Sequence, residues 1–126
     1  MIFGIGTDII EISRIKKAIQ KPAFLAKCFT DAEIARCNAD GAMSAAKFAG
    51  YFAAKEAVAK ALGTGFRGFA PRDIEICQND AGKPLVRLAP HIPAPADAIV
   101  HVSISHGKDH ATAMAVIEVT TCQDAP

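Results

Sequence analysis

Three absences narrow this chain of 126 residues before any motif is read. It has no excess of one charge: 14 Lys and Arg stand against 13 Asp and Glu, a formal net charge of +1. That excludes bulk electrostatic attraction to nucleic acid and leaves only local basic patches. It has no apolar run near the roughly 20 residues that a membrane-spanning helix needs. It has no Cys-x-x-Cys pair, because Cys28, Cys37, Cys77 and Cys122 fall at wide, irregular spacings. A zinc site or a disulfide framework is therefore not expected, and reduced thiols in a cytoplasmic protein are the simplest reading. The opening Met1-Ile-Phe-Gly-Ile-Gly-Thr-Asp8 lacks a basic segment and carries an early carboxylate, so no secretory signal is expected. What the chain does have is apolar surface: 51% of residues are hydrophobic, enough for one core at a size where stability is marginal and oligomerisation attractive.

Helical signals dominate the first half and strand signals the second, which predicts an α+β fold. Ile2 to Ile12 reads as a strand apolar on both faces, hence buried on both. Ser13 is placed to cap a short helix bearing Arg14, Lys16, Lys17 and Lys21, with Pro22 interrupting it. Thr30-Asp-Ala-Glu33 matches a capping box for a helix to about Cys37. Asn38 to Gly41 reads as a turn, Ser44 opens a long Ala-rich helix to Leu62, and Gly63-Thr-Gly65 stops it. Asp73 to Gln78 and Pro84 to Leu88 are predicted strands of a hairpin. Ala89 to Ala96 holds three prolines and reads as an irregular connector. Ile99 to Ser105 and Thr112 to Val119 are the last strands. Residues 1–119 are expected to form one domain and 120–126 a frayed tail.

The richest segment for chemistry is Phe52-Ala-Ala-Lys-Glu-Ala-Val-Ala-Lys-Ala-Leu-Gly-Thr-Gly-Phe66. Glu56 lies one turn from Phe52 and one turn from Lys60, so a carboxylate, an ammonium and a ring share a stripe. Charges on an apolar helix need a partner, and Asp8 is the leading candidate. Asp8 and Glu56 together suit a hard cation such as magnesium, which takes oxygen ligands and leaves room for substrate phosphates. The plainer alternative makes Asp8 a turn cap and Glu56 an i, i+4 partner of Lys60. Lys60 beside Gly63-Thr-Gly65, and Lys83 in Asp80-Ala-Gly-Lys-Pro84, are either phosphate contacts or an ordinary helix stop and a solvated hairpin tip. His101, Ser103 and Ser105 share one strand face, and His106 falls on the other. Adjacent residues point apart, so a Ser105–His106 nucleophile and base pair is not expected. His106 instead suits a phosphate or ribose contact, or is simply a surface histidine. The Arg14, Lys17, Lys21, Lys27 series is a solvated face or a docking strip for an acidic partner.

Taken in order, Gly6-Thr-Asp-Ile-Ile-Glu-Ile12, the Phe52–Gly65 segment, Asp80-Ala-Gly-Lys-Pro84 and His101-Val-Ser-Ile-Ser-His106 resemble holo-acyl-carrier-protein synthase. This is the small single-domain group of 4′-phosphopantetheinyl transferases, and the likeness runs from Ile5 to about Glu118. The resemblance implies an α+β transferase fold, a long helix packed on a small antiparallel sheet, assembled as a homotrimer with sites between subunits. It implies transfer of the 4′-phosphopantetheine arm of coenzyme A to a serine of apo-acyl carrier protein, releasing adenosine 3′,5′-bisphosphate, in the service of fatty acid biosynthesis. It implies that Asp8 and Glu56 are catalytic and bind magnesium, with Glu56 or a water on the metal as base. Lys60, Gly82, Lys83, Pro84 and His106 would belong to the coenzyme A site, and Arg14 to the carrier-docking helix. Two segments depart from the family pattern: Ala89 to Ala98 is shorter and richer in proline than the helix expected there, and Gln20-Lys-Pro22 replaces a looser stretch. Non-catalytic coenzyme A binding, or a structural trimer with solvated charges, are the competing readings.

Overall fold

In a computed structural model describing residues 1–120, the elements run β1 (Ile2–Glu11), α1 (Ile12–Ala18), α2 (Pro22–Cys28), α3 (Asp31–Cys37), α4 (Ala45–Leu62), β2 (Ile74–Gln78), β3 (Pro84–Leu88), β4 (Ile99–His106) and β5 (His110–Glu118). The expected α+β class holds, with two small antiparallel sheets where one was predicted. One has the order β1-β5-β4; the other is the β2–β3 hairpin, which shares no ladder with it.

Helix α4 is the centre of the molecule. Ser44 caps it by accepting from Lys47 N at 3.3 Å, and Gly63 ends it at φ 81° in the left-handed region. It is buried nearly all round, which explains its apolar character on every face. The three-stranded sheet covers one side and presents Ala111, Ala113 and Ala115 to it, all buried. Small residues on both surfaces bring strand and helix close. The approach is tightest at β1, where a Cβ on Gly4 would lie 1.9 Å from Ala61 O, and one on Gly6 2.0 Å from Ala57 O. Both obstacles are backbone atoms, so neither can swing aside. Gly6→Ala is expected to destabilise the chain by roughly 3 kcal/mol, the upper end of what overpacking costs. A urea melt reads the loss, and an unchanged midpoint would contradict the close approach.

The other side of α4 packs on α2, α3 and the hairpin. Phe24 meets Phe29 and Phe52 at centroid distances of 6.1 and 5.7 Å, and Phe29 meets Phe48 at 5.0 Å. The ring of the Phe52 stripe is thus a core contact to α2. The capping box at Thr30 is present: Thr30 Oγ1 accepts from Glu33 N, and Glu33 Oε1 accepts from Thr30 N.

Several expectations are corrected. β1 is not buried on both faces: Ile5 and Ile9 are 69% and 65% exposed, because no element among the described residues covers the outer face of the sheet. Ser13 caps nothing; Glu11 occupies the N-cap position of α1 without a side-chain bond. Helix α1 ends at Ala18, so Lys21 lies beyond it and becomes the N-cap of α2. Pro22 opens that helix at its first position, where a missing N–H costs nothing. Asp73 closes a 3-10 turn before β2 begins, and β4 and β5 run to His106 and from His110. The Pro-rich connector is irregular as expected and buries Ile92. Of the expected tail, Thr120 bonds Asp97 Oδ2 through its amide and hydroxyl, and 121–126 lie outside the described residues. Among the described residues Cys28, Cys37 and Cys77 are free thiols. Burial raises the pKa of all three, that of Cys37 to about 12, which leaves them poor nucleophiles.

Candidate active site

The contact of Gly6 with Ala57 determines the first cluster. Two residues after Gly6 on the same strand face stands Asp8, and next to Ala57 stands Glu56. Their charges meet: Glu56 binds its proton more tightly than an ordinary glutamate, first because it is half-buried and next because of Asp8, with Lys60 opposing both. Lys60 Nζ donates to Asp8 Oδ1 at 3.3 Å and to Thr7 O at 2.9 Å. So Asp8, Glu56 and Lys60 form one polar cluster at the seam between β1 and α4. Asp8 is half-buried, while Lys60 remains largely open to solvent.

Sheet register links this seam to a cleft. Asp8 pairs with Ala113 and Ala113 with Ile104, so the three form one row across the inner face. The next row is Ile10, Ala111 and His106. The turn after His106 is held to the start of α1 by Ile12 N donating to Asp109 O at 2.9 Å. Ile104 and His106 line a cleft of about 290 Å³ with Lys47, Tyr51, Gln78, Gly82 and Pro84. Gly82 turns the hairpin at φ 86°, a conformation that suits glycine. Asn79 Oδ1 braces the turn by accepting from Ala81 N and Lys83 N, each at 2.9 Å. Lys83 is exposed and does not line the cleft.

Of the residues predicted from sequence, the structure thus gathers Asp8, Glu56 and Lys60 at the seam, and Gly82, Pro84 and His106 around the cleft. Arg14 stands apart on the exposed side of α1. His101 pairs with Glu118 at 3.1 Å on the outer sheet face, away from any base and nucleophile arrangement with Ser105. Sequence reasoning missed Lys47 and Tyr51 in the cleft wall; their spacing of four on a helix was the available signal. It also gave Lys55 no partner. That ammonium is wholly buried and donates to Glu33, Pro71 O and Ile74 O.

Two juxtaposed carboxylates with a neighbouring cation suit a hard divalent ion shared with a ligand's oxygens. Among the described residues no group of three or more His, Cys, Asp or Glu could enclose a metal alone. Magnesium fits this donor set, since it favours few protein carboxylates plus phosphate oxygens and water. No helix among the described residues is long and apolar enough to cross a membrane.

Known proteins share this arrangement of elements. The sequence model of the 4′-phosphopantetheinyl transferase superfamily matches residues 4–115. The holo-[acyl-carrier-protein] synthase of Clostridium beijerinckii is 52% identical over 122 residues, covering 94% of this chain and 98% of that protein. A crystal structure of a holo-(acyl-carrier-protein) synthase from Bacillus anthracis in complex with CoA (3′,5′-ADP) superposes with a TM-score of 0.79 at 40% identity, covering 95% of this chain and 99% of that one. That of Helicobacter pylori in complex with coenzyme A gives 0.81 at 32% identity, covering 90% and 99%. Family match, relatives of nearly the same length and shared architecture agree, and the chain belongs to the holo-[acyl-carrier-protein] synthase group of the 4′-phosphopantetheinyl transferase superfamily.

Proposed function

We propose that the Asp8–Glu56–Lys60 seam is the reacting centre of this transferase and that the cleft lined by Tyr51, Gly82, Pro84 and His106 holds coenzyme A. The chain moves the 4′-phosphopantetheine arm of coenzyme A to a serine of an apo-acyl carrier protein and releases adenosine 3′,5′-bisphosphate. The serine hydroxyl attacks the β-phosphorus of the coenzyme, a new P–O bond forms, and the bond to the bridging oxygen breaks. The leaving nucleotide departs with that oxygen. The gathering of Asp8, Glu56 and Lys60 at the β1–α4 seam supports this reading most, with the Asp8–Ala113–Ile104 row running across the sheet from that seam to the cleft wall.

Each residue then has a task. Asp8 and Glu56 would hold magnesium, which supplies charge compensation to the diphosphate. Lys60 exchanges its bond to Asp8 for a phosphate oxygen. Glu56 accepts the serine proton. Gly82, Lys83, Pro84 and His106 contact the nucleotide portion, Lys83 from the turn rim. Arg14, on an exposed helix with Lys16 and Lys17, meets the acidic carrier. The outer sheet face, with Ile5, Ile9 and Met114 exposed, is where copies associate as a trimer, placing each site near a neighbouring subunit. The described chain forms the transferase domain up to residue 119, working in the cytoplasm on a carrier of fatty acid biosynthesis.

Incubation with coenzyme A, magnesium and apo-acyl carrier protein is expected to add one phosphopantetheine to the carrier, read by mass spectrometry. Coenzyme A binding with no mass gain would favour a non-catalytic module. A second expectation concerns pH. The folded chain holds the Glu56 proton more tightly than the unfolded chain does, so without metal it is stabilised by that proton at low pH. It loses this stabilisation as pH rises from 4.5 through the raised folded pKa. Melts in a chelator should show wild type losing stability relative to Glu56→Gln across that window. Magnesium, which binds the charged form, should remove the difference; equal slopes in the chelator would refute the shared charge at the seam.

A further inference from the structure

The hairpin supplies the cleft with Gln78, Gly82 and Pro84, yet no backbone ladder joins β2–β3 to the other sheet. Besides the packing of β3 on β4 and of Ile74 and Ile76 in the core, side chains hold it at alternate residues of β2. Nearest the start of β2, Lys55 bonds Ile74 O at 2.6 Å. In the middle, Glu33 accepts from Ile76 N at 2.8 Å. Arg36 of α3 donates through Nη1 to Ile76 O at 2.7 Å and to the Tyr51 hydroxyl at 3.2 Å, with its guanidinium 5.8 Å from the centre of the Tyr51 ring. Nearest the turn, Gln78 Nε2 donates to that same hydroxyl at 3.4 Å. Tyr51 Oη is therefore a common acceptor joining α3, α4 and the end of β2 that leads into the turn.

We propose that Arg36 and the Tyr51 hydroxyl are positioning residues for coenzyme A: they lock the hairpin wall at the width the nucleotide requires. The inference rests on assigning the cleft to coenzyme A. Arg36 does not line the cleft, so it acts on the ligand through the wall; Tyr51 does line it, and its hydroxyl accepts from two donors that hold it to the wall. Losing this lock leaves the seam intact, because Asp8, Glu56 and Lys60 are set by the β1–α4 contact instead. The lock thus acts on binding of the coenzyme rather than on the transfer step.

The test is steady-state kinetics of arm transfer with coenzyme A and carrier varied separately, for wild type, Arg36→Met, Tyr51→Phe and the double variant. Each single variant is expected to raise KM for coenzyme A by about five- to tenfold, the scale of one lost hydrogen bond to a charged or buried partner. The turnover number and the KM for the carrier should stay within about twofold. The double variant should be little worse than either single one, because both break the same lock. Tyr51→Phe keeps the ring, and Arg36→Lys stands in if Arg36→Met fails to fold; a raised KM in Tyr51→Phe with none in the Arg36 variant would mean direct contact with the ligand and overturn the lock. An unchanged KM for coenzyme A in Tyr51→Phe, or a fall in turnover alone, overturns the inference while leaving the transferase assignment in place. A wild-type chain that neither binds coenzyme A nor modifies the carrier overturns both.

Discussion

Asp8→Asn and Glu56→Gln are each expected to slow arm transfer by roughly 10²- to 10³-fold, the range seen when one preorganised electrostatic group is removed from a reacting centre. Both replacements keep shape and remove a charge. The amide is a poor ligand for a hard cation and, at position 56, a poor base. Neither variant should lose its fold. Among the described residues Asp8 has only Lys60 as a salt-bridge partner, and the Lys60 side chain is 54% exposed, so the pair contributes little to stability. Glu56→Gln removes a like-charge contact and should leave the metal-free protein at least as stable as wild type at neutral pH. Activity and stability thus move in opposite directions, as expected where a charged site is kept for its chemistry. Initial rates by carrier mass shift, paired with denaturant melts, read both quantities. Rates within about threefold of wild type in saturating magnesium would reject the metal and base roles given to these carboxylates.

Lys55→Met should have the largest effect on stability, about 3–5 kcal/mol, against the roughly 5–15 kcal/mol that a domain has in total. Lys55 and Glu33 are both wholly inaccessible, with Nζ 2.8 Å from Oε2. Burial pushes the Lys55 pKa below the usual lysine value, while the Glu33 charge and hydrogen bond oppose that shift. The network closes on itself: Lys55 satisfies Pro71 O and Ile74 O, and Glu33 satisfies Thr30 N and Ile76 N. Methionine leaves an uncompensated carboxylate and removes one donor from each of two carbonyls, of which Pro71 O keeps the Ile74 amide. The double variant Lys55→Met/Glu33→Gln removes both charges and should recover part of the loss, giving a coupling above about 1 kcal/mol in a double-mutant cycle. Additive losses would mean that the two groups act independently.

The contrast between these two pairs explains how much could be read from sequence. Signals confined to a few neighbouring residues were legible: the Thr30–Glu33 box, the Ser44 cap and the Gly63 stop depend on local backbone geometry alone. The partnership of Asp8 with Glu56 was legible in outline, because each is a charge on an otherwise apolar element. Glu33 was hidden by its own capping role, which accounted for its carboxylate and left no reason to seek a second partner. Pro22 misled for a related reason, since the residue that breaks a helix interior also begins one. The exposed outer face of β1 was beyond reach: Ile5 and Ile9 look the same whether covered by this chain or by another. The cleft draws Tyr51, Gln78 and His106 from separate elements, and only the packing of the hairpin brings them together.

Gly4, Gly6 and Asp8 occupy even positions of one strand, and that parity carries a consequence for how the chain can change. A strand alternates its sides at every residue, so deleting or adding a single residue between Gly6 and Asp8 turns the carboxylate to the opposite surface. The glycines would still dock against the helix, and the core alanines would still be covered. Such a protein would fold and yet carry its acid on the wrong side. Length variation in this family is therefore expected in the hairpin turn or the proline-rich connector, and to be forbidden between Gly4 and Asp8.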